Sequence, residues 1–319
     1  NGAVWDSVPA RSIWEELAAA AWLCGDPGIL FLDRINETNT VPGLGPIEAT
    51  NPCGEQPLLP FESCNLGSIN LAACLTRDGI DFGELSEVIG RAVRFLDRVI
   101  DINSYPIPEI REASLRTRKI GLGVMGLADA LILLGIPYQS EEGLSTTGEV
   151  MRFVRDEAHT ASRELAEENG SFPAIGLSTW SEPMRNATVT TIAPTGSLHI
   201  IAGTSSGIEP LFSLSLARSI NGQVISSIHP SVERLIAPLP RGHSMIKEIQ
   251  RTGSVQHLPV GDDIRELLRT AAEIEPTFHV RMLAHVQRYI DNAVSKTVNL
   301  PENATSGDIS RTFLLARDL

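Results

Sequence analysis

The chain has 319 residues, of which 42% are apolar, and this is enough for one large α/β domain or two ordinary domains with a real core. Its 39 acidic and 26 basic side chains give a formal net charge of −13, which argues against general affinity for nucleic acid or anionic membranes. The chain contains no apolar stretch of membrane-spanning length and its first residues show no signal-peptide pattern, so we expect a cytoplasmic protein.

Cysteine and histidine usage narrows the chemistry. Four cysteines without a C-x-x-C pair are too few for a secreted disulfide framework. Cys24 and Cys74 lie in apolar surroundings, so we expect both to be buried and structural. The seven histidines are scattered, and we predict no protein-bound metal site.

The first third of the chain combines one helix with one long irregular segment. Apolar residues at helical spacing predict a helix over 12–22, which ends at the Gly-Asp-Pro-Gly turn that begins at Gly25. Residues 36–60 are rich in Asn, Pro and Gly and show no period. Segments of this kind inside a compact domain are usually functional or disordered, and this one contains Cys53.

The rest of the chain alternates predicted helices with shorter runs, which indicates the α/β class. One helix is predicted over 85–102, and a longer one from Ser145 as N-cap to Gly170 as the residue that ends it. Residues 187–192 form a β-rich run, and further helices are predicted over 264–273 and 277–293.

Asn51, Cys53 and Glu55 occupy alternate positions in the irregular segment. If the backbone there is extended, all three side chains point to one side. A thiol can carry a redox or radical step, a carboxylate can take a proton, and an amide can hold a hydroxyl. A buried cysteine in an ordinary loop fits the same spacing, and the spacing alone does not decide.

A second candidate segment follows the β-rich run, where the sequence reads Ala-Pro-Thr-Gly-Ser over 193–197. Such a turn can present backbone N–H groups and hydroxyls to an anion, particularly if a helix begins there. An ordinary tight turn is the alternative.

The string from Gly121 to Gly126 fits the G-x-G-x-x-G pattern of dinucleotide-binding proteins. That pattern requires a β-strand immediately before it, and residues 111–119 are instead charged and polar. We therefore give a nicotinamide-dependent oxidoreductase little support.

Asn-Pro-Cys-Gly-Glu-Gln over 51–56, followed by Ser-Cys-Asn-Leu-Gly-Ser-Ile-Asn-Leu over 63–71, resembles the active-site segment of class II ribonucleotide reductases. The 193–197 string, the Gly-Ile-Glu-Pro string over 207–210 and residues 291–301 resemble further segments of the same family. The resemblance covers most of the chain and implies part of a ten-stranded α/β barrel with a finger loop carrying the catalytic cysteine.

The resemblance also implies roles for individual residues. Cys53 would become a thiyl radical that abstracts the 3′ hydrogen of a ribonucleotide, Glu55 would remove the 3′-hydroxyl proton, and Asn51 would hold the same hydroxyl. Cys64 would be one half of the reducing cysteine pair. The substrate-binding positions would be Asn51, Pro52, Cys53, Gly54 and Glu55 together with the phosphate-loop positions Pro194, Thr195, Gly196, Ser197 and Leu198.

The implied cofactor is adenosylcobalamin, which provides the initiating radical, and the implied partners are a ribonucleoside di- or triphosphate and a thioredoxin-like reductant. Lys296 could contact a phosphate, but a surface lysine is the expectation from composition.

By comparison with the family, residues 1–319 are expected to form a single catalytic barrel region without the N-terminal half and the C-terminal cysteine tail. The chain would then need its missing half or a homodimer partner. A non-catalytic nucleotide-binding or complementing fragment is the remaining alternative.

Overall fold

The computed structural model describes residue 4 and residues 6–220 and 223–319. The helices in these residues are α1 (Ala10–Cys24), α2 (Leu32–Glu37), α3 (Phe82–Ile102), α4 (Pro108–Thr117), α5 (Leu127–Leu134), α6 (Glu141–Asn169), α7 (Leu198–Ala202), α8 (Pro230–Ile236), α9 (Gly242–Thr252), α10 (Asp262–Leu267), α11 (Pro276–Gln287) and α12 (Ser306–Asp318). The strands are β1 (Ala49–Thr50), β2 (Pro57–Leu58), β3 (Asn65–Asn70), β4 (Leu75–Thr76), β5 (Gly79–Ile80), β6 (Ile120–Met125), β7 (Ser215–Ile220) and β8 (Gln223–Ile228).

Helix α3 forms because a capping residue precedes a regular apolar stripe. The carboxylate of Asp81 accepts the N–H of Glu84 at 3.0 Å and caps the first turn. Apolar side chains recur every three or four residues along one face and are buried against α6 and β3, namely Leu85, Ile89, Val93, Leu96 and Ile100. The predicted helix over 85–102 is confirmed, with three further residues at its start.

Helix α6 begins earlier than predicted. The hydroxyl of Ser140 accepts the N–H of Gly143 at 2.8 Å, so Ser140 is the N-cap, and the prediction of Ser145 is wrong. Glu141 and Glu142 stand in the first turn, where negative charge is favourable at a helix N-terminus. The helix ends before Gly170, as predicted.

Four parallel segments lie side by side and form the wall of a partial α/β barrel. Strand β3 pairs with β6 from Asn65 opposite Ile120 to Asn70 opposite Met125. Parallel bridges then join Leu122 to Thr190 and Ile192 to Val294. The β-rich run over 187–192 is therefore the third segment, although it pairs through isolated bridges. Buried apolar side chains from all four segments belong to one continuous core.

The glycines of the G-x-G-x-x-G string lie inside β6, which is buried throughout. A Cβ atom on Gly123 would stand 2.2 Å from the carbonyl oxygen of Thr191. Glycine is therefore needed there for the close approach of the third segment. A dinucleotide fingerprint needs its glycines in the turn after a strand, so this string does not have that structure.

The last predicted helices are shorter in the structure than in the sequence analysis. Helix α10 ends at Leu267, because Thr270 and Glu273 form a capping box that starts a separate short 3-10 turn. Helix α11 ends at Gln287 rather than continuing to 293, since the residues that follow enter the fourth parallel segment.

The two structural cysteines differ in their surroundings. Cys74 is buried, as predicted, but Cys24 is exposed, and the prediction for Cys24 is wrong because the last turn of α1 buries Ala21 and turns the cysteine outward. Within the described ranges, helices that are long enough to span a bilayer are too polar to do so.

Candidate active site

Cys53 lies on a tight turn over residues 51–56, here called the Cys53 turn. Strands β1 and β2 pair at its base, with Thr50 opposite Pro57. The N–H of Asn51 donates to the carbonyl of Gln56 at 3.2 Å, and the side-chain oxygen of Asn51 accepts the N–H of Gln56 at 3.0 Å. Gly54 has a φ of +82°, a conformation that glycine adopts without strain.

The backbone at this segment is not extended, so the condition under which the three side chains would share one face is not met. Because the chain folds back at Gly54, the alternation that would put three side chains on one face does not apply. Cys53 is exposed, whereas Glu55 is 2% exposed. The side-chain oxygen of Asn51 accepts a hydrogen bond that closes the turn. Its amide N–H groups remain available to donate to a ligand.

The base of the Cys53 turn is fixed to the parallel segments. The carbonyl oxygen of Glu55 accepts both the hydroxyl of Thr191 at 2.9 Å and the N–H of Ala293 at 3.0 Å. These two bonds join the turn to the third and fourth segments. The thiol of Cys53 is therefore carried on a short, closed loop whose base cannot move independently of the sheet.

Several buried polar atoms beneath the turn have no partner among the described residues. They are Oε2 of Glu55 and both amide atoms of Gln56. The Gln56 amide faces β6, where a Cβ atom on Gly121 would stand 2.8 Å from its nitrogen. Leaving a buried polar group without a hydrogen bond costs about 1–3 kcal/mol. Such atoms indicate a place where a ligand or water supplies the missing partner.

Cys64 lies immediately before β3, and its thiol donates to the carbonyl of Asn65 at 3.6 Å. Burial raises the pKa of Cys64 well above its ordinary value; the positive charge of Lys119 opposes this, and the negative charges of Glu62 and Glu55 add to it. Cys64 is therefore a neutral thiol at physiological pH, able to give up a hydrogen atom or a proton to a partner.

A buried ion pair next to Cys64 was not foreseen from the sequence. The ammonium of Lys119 lies 2.7 Å from a carboxylate oxygen of Glu62, and both side chains are 2% exposed. Glu62 also accepts the hydroxyl of Thr117 and the N–H of Leu59, each at 2.7 Å. A charged Arg-Lys pair stands directly before an apolar run in the sequence, but the acidic partner of Lys119 lies 57 residues away along the chain.

The second candidate segment, residues 194–198, is called here the Thr195 loop. Thr195 has a φ of +50°, and its hydroxyl accepts the N–H of Gly207 at 3.0 Å. Gly196, Ser197 and Leu198 are exposed, and α7 begins at Leu198. The first N–H groups of a helix lack partners within it, so this loop offers exposed donors that suit an anion.

Lys296 is not the surface residue that was expected. Its side chain is fully buried, and its ammonium lies 2.6 Å from a carboxylate oxygen of Glu209 in the Gly-Ile-Glu-Pro string. The prediction was wrong because composition gives no sign of the acidic partner, which lies far away in the sequence.

The third parallel segment connects the two candidate sites. Thr191 holds the base of the Cys53 turn, and the Thr195 loop starts three residues further along the chain. The turn that carries Cys53 and the Thr195 loop are therefore joined through one stretch of chain. Across the described ranges, His, Cys, Asp and Glu side chains do not gather in threes in a way that could hold a metal ion.

Comparison with known proteins agrees with this geometry. The sequence model described as the barrel domain of ribonucleotide reductase matches residues 2–184 and 178–319. A vitamin B12-dependent ribonucleoside-diphosphate reductase of Mycobacterium tuberculosis is 51% identical over 99% of this chain and 46% of its own length. One from Thermoplasma acidophilum is 48% identical over 98% of this chain and 41% of its own length.

Among solved structures, the class Id ribonucleotide reductase alpha subunit of Actinobacillus ureae superposes with a TM-score of 0.82. It is 26% identical, and the match covers 97% of this chain and 59% of that chain. The chain thus spans less than half the length of the curated relatives.

Proposed function

The chain belongs to the ribonucleotide reductase family, as the match of its barrel domain along the chain shows, and on this premise we propose that it forms the substrate-reducing region of a cobalamin-dependent ribonucleotide reductase. The observation that carries the proposal is the Cys53 turn, a closed loop with an exposed thiol and a buried carboxylate oxygen that has no hydrogen-bond partner among the described residues. Both relatives described above are ribonucleoside-diphosphate reductases, which favours a ribonucleoside diphosphate as substrate.

Cys53 is proposed as the radical-carrying residue. An S–H bond and an activated sugar C–H bond are similar in strength, so a hydrogen atom can pass from the 3′ carbon to sulfur and later return. The closed turn supports this role because it holds the sulfur in one place while leaving it exposed.

Glu55 and Asn51 are proposed to act on the 3′ hydroxyl. The unpartnered Oε2 of Glu55 can accept the hydroxyl proton. The amide N–H groups of Asn51 can donate to the same oxygen, since the side-chain oxygen of Asn51 is already used in the turn.

Cys64 is proposed to supply reducing equivalents to the 2′ carbon. Replacing the 2′ hydroxyl with hydrogen releases water and consumes two electrons and two protons. Two thiols supply them by forming a disulfide, so Cys64 requires a second cysteine and, after each turnover, a thioredoxin-like dithiol that reduces the disulfide. The raised pKa of Cys64 keeps its proton on the sulfur until the reaction requires it.

The Thr195 loop is proposed to bind the substrate phosphates through the N–H groups of Gly196, Ser197 and Leu198 and the hydroxyl of Ser197. Its exposed backbone supports this role. A chain of net charge −13 repels anions in general and must bind one through local donors. The Thr195 loop provides such donors.

The residues present fit a radical cofactor that meets the chain from outside. Pro52 and Cys53 form the exposed face of the turn, and they would adjoin adenosylcobalamin, which when bound supplies an initiating radical by breaking its cobalt–carbon bond. The task of the chain is then to present the Cys53 hydrogen and to exclude water from the buried side of the turn. The same proposal includes completion of the barrel by further chain or by a homodimer partner. It also places the protein in the cytoplasm, where thiols stay reduced.

The deciding experiment replaces Cys53 with Ser in the protein as the cell makes it. Cys53→Ser should abolish turnover, by at least about a thousandfold, because an alcohol O–H bond is too strong to serve in the hydrogen exchange, while the affinity for a ribonucleoside diphosphate stays within about twofold. Cys24→Ser is the matched control, since Cys24 is also exposed and lies on α1, and it should retain full activity. Turnover that survives Cys53→Ser removes the proposal.

A further inference from the structure

Lys296 is held by acceptors on every side. Its side chain is fully buried, and lysine is almost never fully buried unless it is paired. Its ammonium lies 2.6 Å from Oε2 of Glu209, 3.1 Å from Nδ1 of His279 and 3.4 Å from the carbonyl oxygen of Thr297. An ammonium has three donors, so each one has an acceptor and none is left for a ligand.

His279 completes this cluster in its neutral form. Its Nε2 lies 3.0 Å from the carbonyl oxygen of Ala271, which assigns the proton to Nε2 and leaves Nδ1 as the acceptor for Lys296. Burial, together with the positive charge of Lys296, lowers the pKa of His279 to about 4. The cluster therefore consists of one cation, one anion and one neutral ring, with no net charge.

Glu209 connects Lys296 to residues 206–209. Its second oxygen, Oε1, accepts the N–H of Thr297 at 2.6 Å, and its own N–H donates to the carbonyl of Ser206 at 2.8 Å. The hydroxyl of Tyr138 donates to the carbonyl of Ile208 at 2.6 Å. Residues 206–209 are thus fixed from two directions by buried side chains.

Residues 206 and 207 in turn hold the Thr195 loop. The N–H of Gly207 donates to the hydroxyl of Thr195 at 3.0 Å, and the hydroxyl of Ser206 donates to the carbonyl of Pro194. Thr195 has a φ of +50°, which is unfavourable for a β-branched residue and persists only where the surrounding structure enforces it. The segment that Glu209 anchors supports this conformation, together with His199, whose backbone N–H and ring Nδ1 lie 3.1 and 2.8 Å from the carbonyl oxygen of Thr195.

We propose that Lys296 is a positioning residue of the Thr195 loop, which fixes Glu209 and thereby keeps residues 206 and 207 in place to hold Thr195 in its binding conformation. The inference rests on the proposed phosphate-binding role of that loop and adds a residue that does not touch the substrate. The effect is geometric, since the charge of Lys296 is balanced by Glu209.

Two substitutions separate this geometric role from simple attraction between Lys296 and a phosphate. Lys296→Met removes the cation, whereas Glu209→Gln leaves the cation unbalanced and replaces one of two acceptors with a donor. If position matters, both variants should weaken the binding of a ribonucleoside diphosphate about tenfold. If charge matters, Lys296→Met should weaken binding and Glu209→Gln should strengthen it.

The measurement is the affinity for a ribonucleoside diphosphate and for the corresponding nucleoside, by calorimetry on the protein as the cell makes it. We expect the loss of affinity for the diphosphate only, because the affected loop meets the phosphates. Arg94→Met is the matched control, since it removes one positive charge from an exposed pair with Glu168 and should change neither affinity by more than about twofold.

The outcomes are distinct. Opposite shifts in the two variants, shifts below twofold, or equal losses for nucleoside and diphosphate would each overturn the positioning role. If Lys296→Met does not fold, Glu209→Gln, which keeps the size of the side chain, decides by the direction of its shift. Failure of the unsubstituted protein to bind the diphosphate would instead overturn the proposed phosphate loop, before any variant is compared.

Discussion

Two regions of the molecule differ in whether their buried polar groups have hydrogen-bond partners. At the start of β6, Arg118 is 2.9 Å from Asp97 and 2.7 Å from Asp101, and Asp97 also accepts from Arg185 and Asn186. In the Cys53 turn, an oxygen of Glu55 and the amide of Gln56 are buried with no hydrogen-bond partner in the part of the chain that the structure describes. Buried polar groups that have hydrogen-bond partners stabilise a fold. Those without partners reduce its stability and remain available to a ligand. Of these two groups, the one around Arg118 stabilises the fold and the one in the Cys53 turn is available for chemistry.

The largest expected effect is the loss of turnover in Glu55→Gln. An amide cannot take a proton from a substrate hydroxyl, so turnover should fall by about 10²–10⁴-fold. Because the unpartnered oxygen contributes no bond to the fold, the free energy of unfolding should change by less than ~1 kcal/mol. Steady-state kinetics and urea unfolding of the same preparation measure both effects. A large loss of stability with turnover intact would reverse the two assignments.

The opposite result is expected for Asp97→Ala. Removing Asp97 leaves the buried Arg118 and the partly buried Arg185 without their shared carboxylate, and breaking a buried pair in this way costs about 3–5 kcal/mol. Urea unfolding should show this loss, while the nucleotide affinity of the folded protein stays the same. Glu168→Ala is the control, since its pair with Arg94 is exposed and should contribute at most ~1 kcal/mol. Equal effects of the two substitutions would contradict the role of Asp97.

A smaller change in the free energy of unfolding is expected when the pH is lowered. Burial lowers the pKa of His279 from 6.5 to about 4 in the folded protein, so the unfolded chain binds more protons between these values. The stabilisation is complete above pH 6.5 and is lost as the pH falls towards 4, up to ~3 kcal/mol in all at ~1.4 kcal/mol per pH unit. Unfolding at a series of pH values should show this slope, and His279→Asn should reduce it. His243→Asn alters an exposed histidine and should leave the slope unchanged; if it alters the slope as much, His279 is not its source.

Long periodic elements were predictable from the sequence, and their ends were less so. The apolar stripe of α3 fixed its existence, as the spacing of buried residues every three or four positions shows. The start of α6 was misplaced because two serines are both acceptable caps. The acidic pair at Glu141 and Glu142, which favours the earlier start, carried the better information.

The candidate site was predictable only where a contiguous string contains it. The Cys53 turn and the Thr195 loop were both singled out, but the shared face that an extended backbone would give residues 51–55 is absent from the described turn, since Gly54 reverses the chain. The partners of Lys119 and Lys296 lie 57 and 87 residues away along the chain. A sequence read locally cannot supply such pairs, and a lysine without its partner is expected at the surface.

The order of the four parallel segments has a kinetic consequence. Asn65 pairs with Ile120, Leu122 with Thr190 and Ile192 with Val294, so each neighbour joins the sheet only after a long intervening loop has been closed. Folds dominated by such distant pairings reach the native state slowly. The turn that carries Cys53 is bonded to the third and fourth of these segments, and its thiol therefore acquires a fixed position only after these two distant parts of the chain have come together.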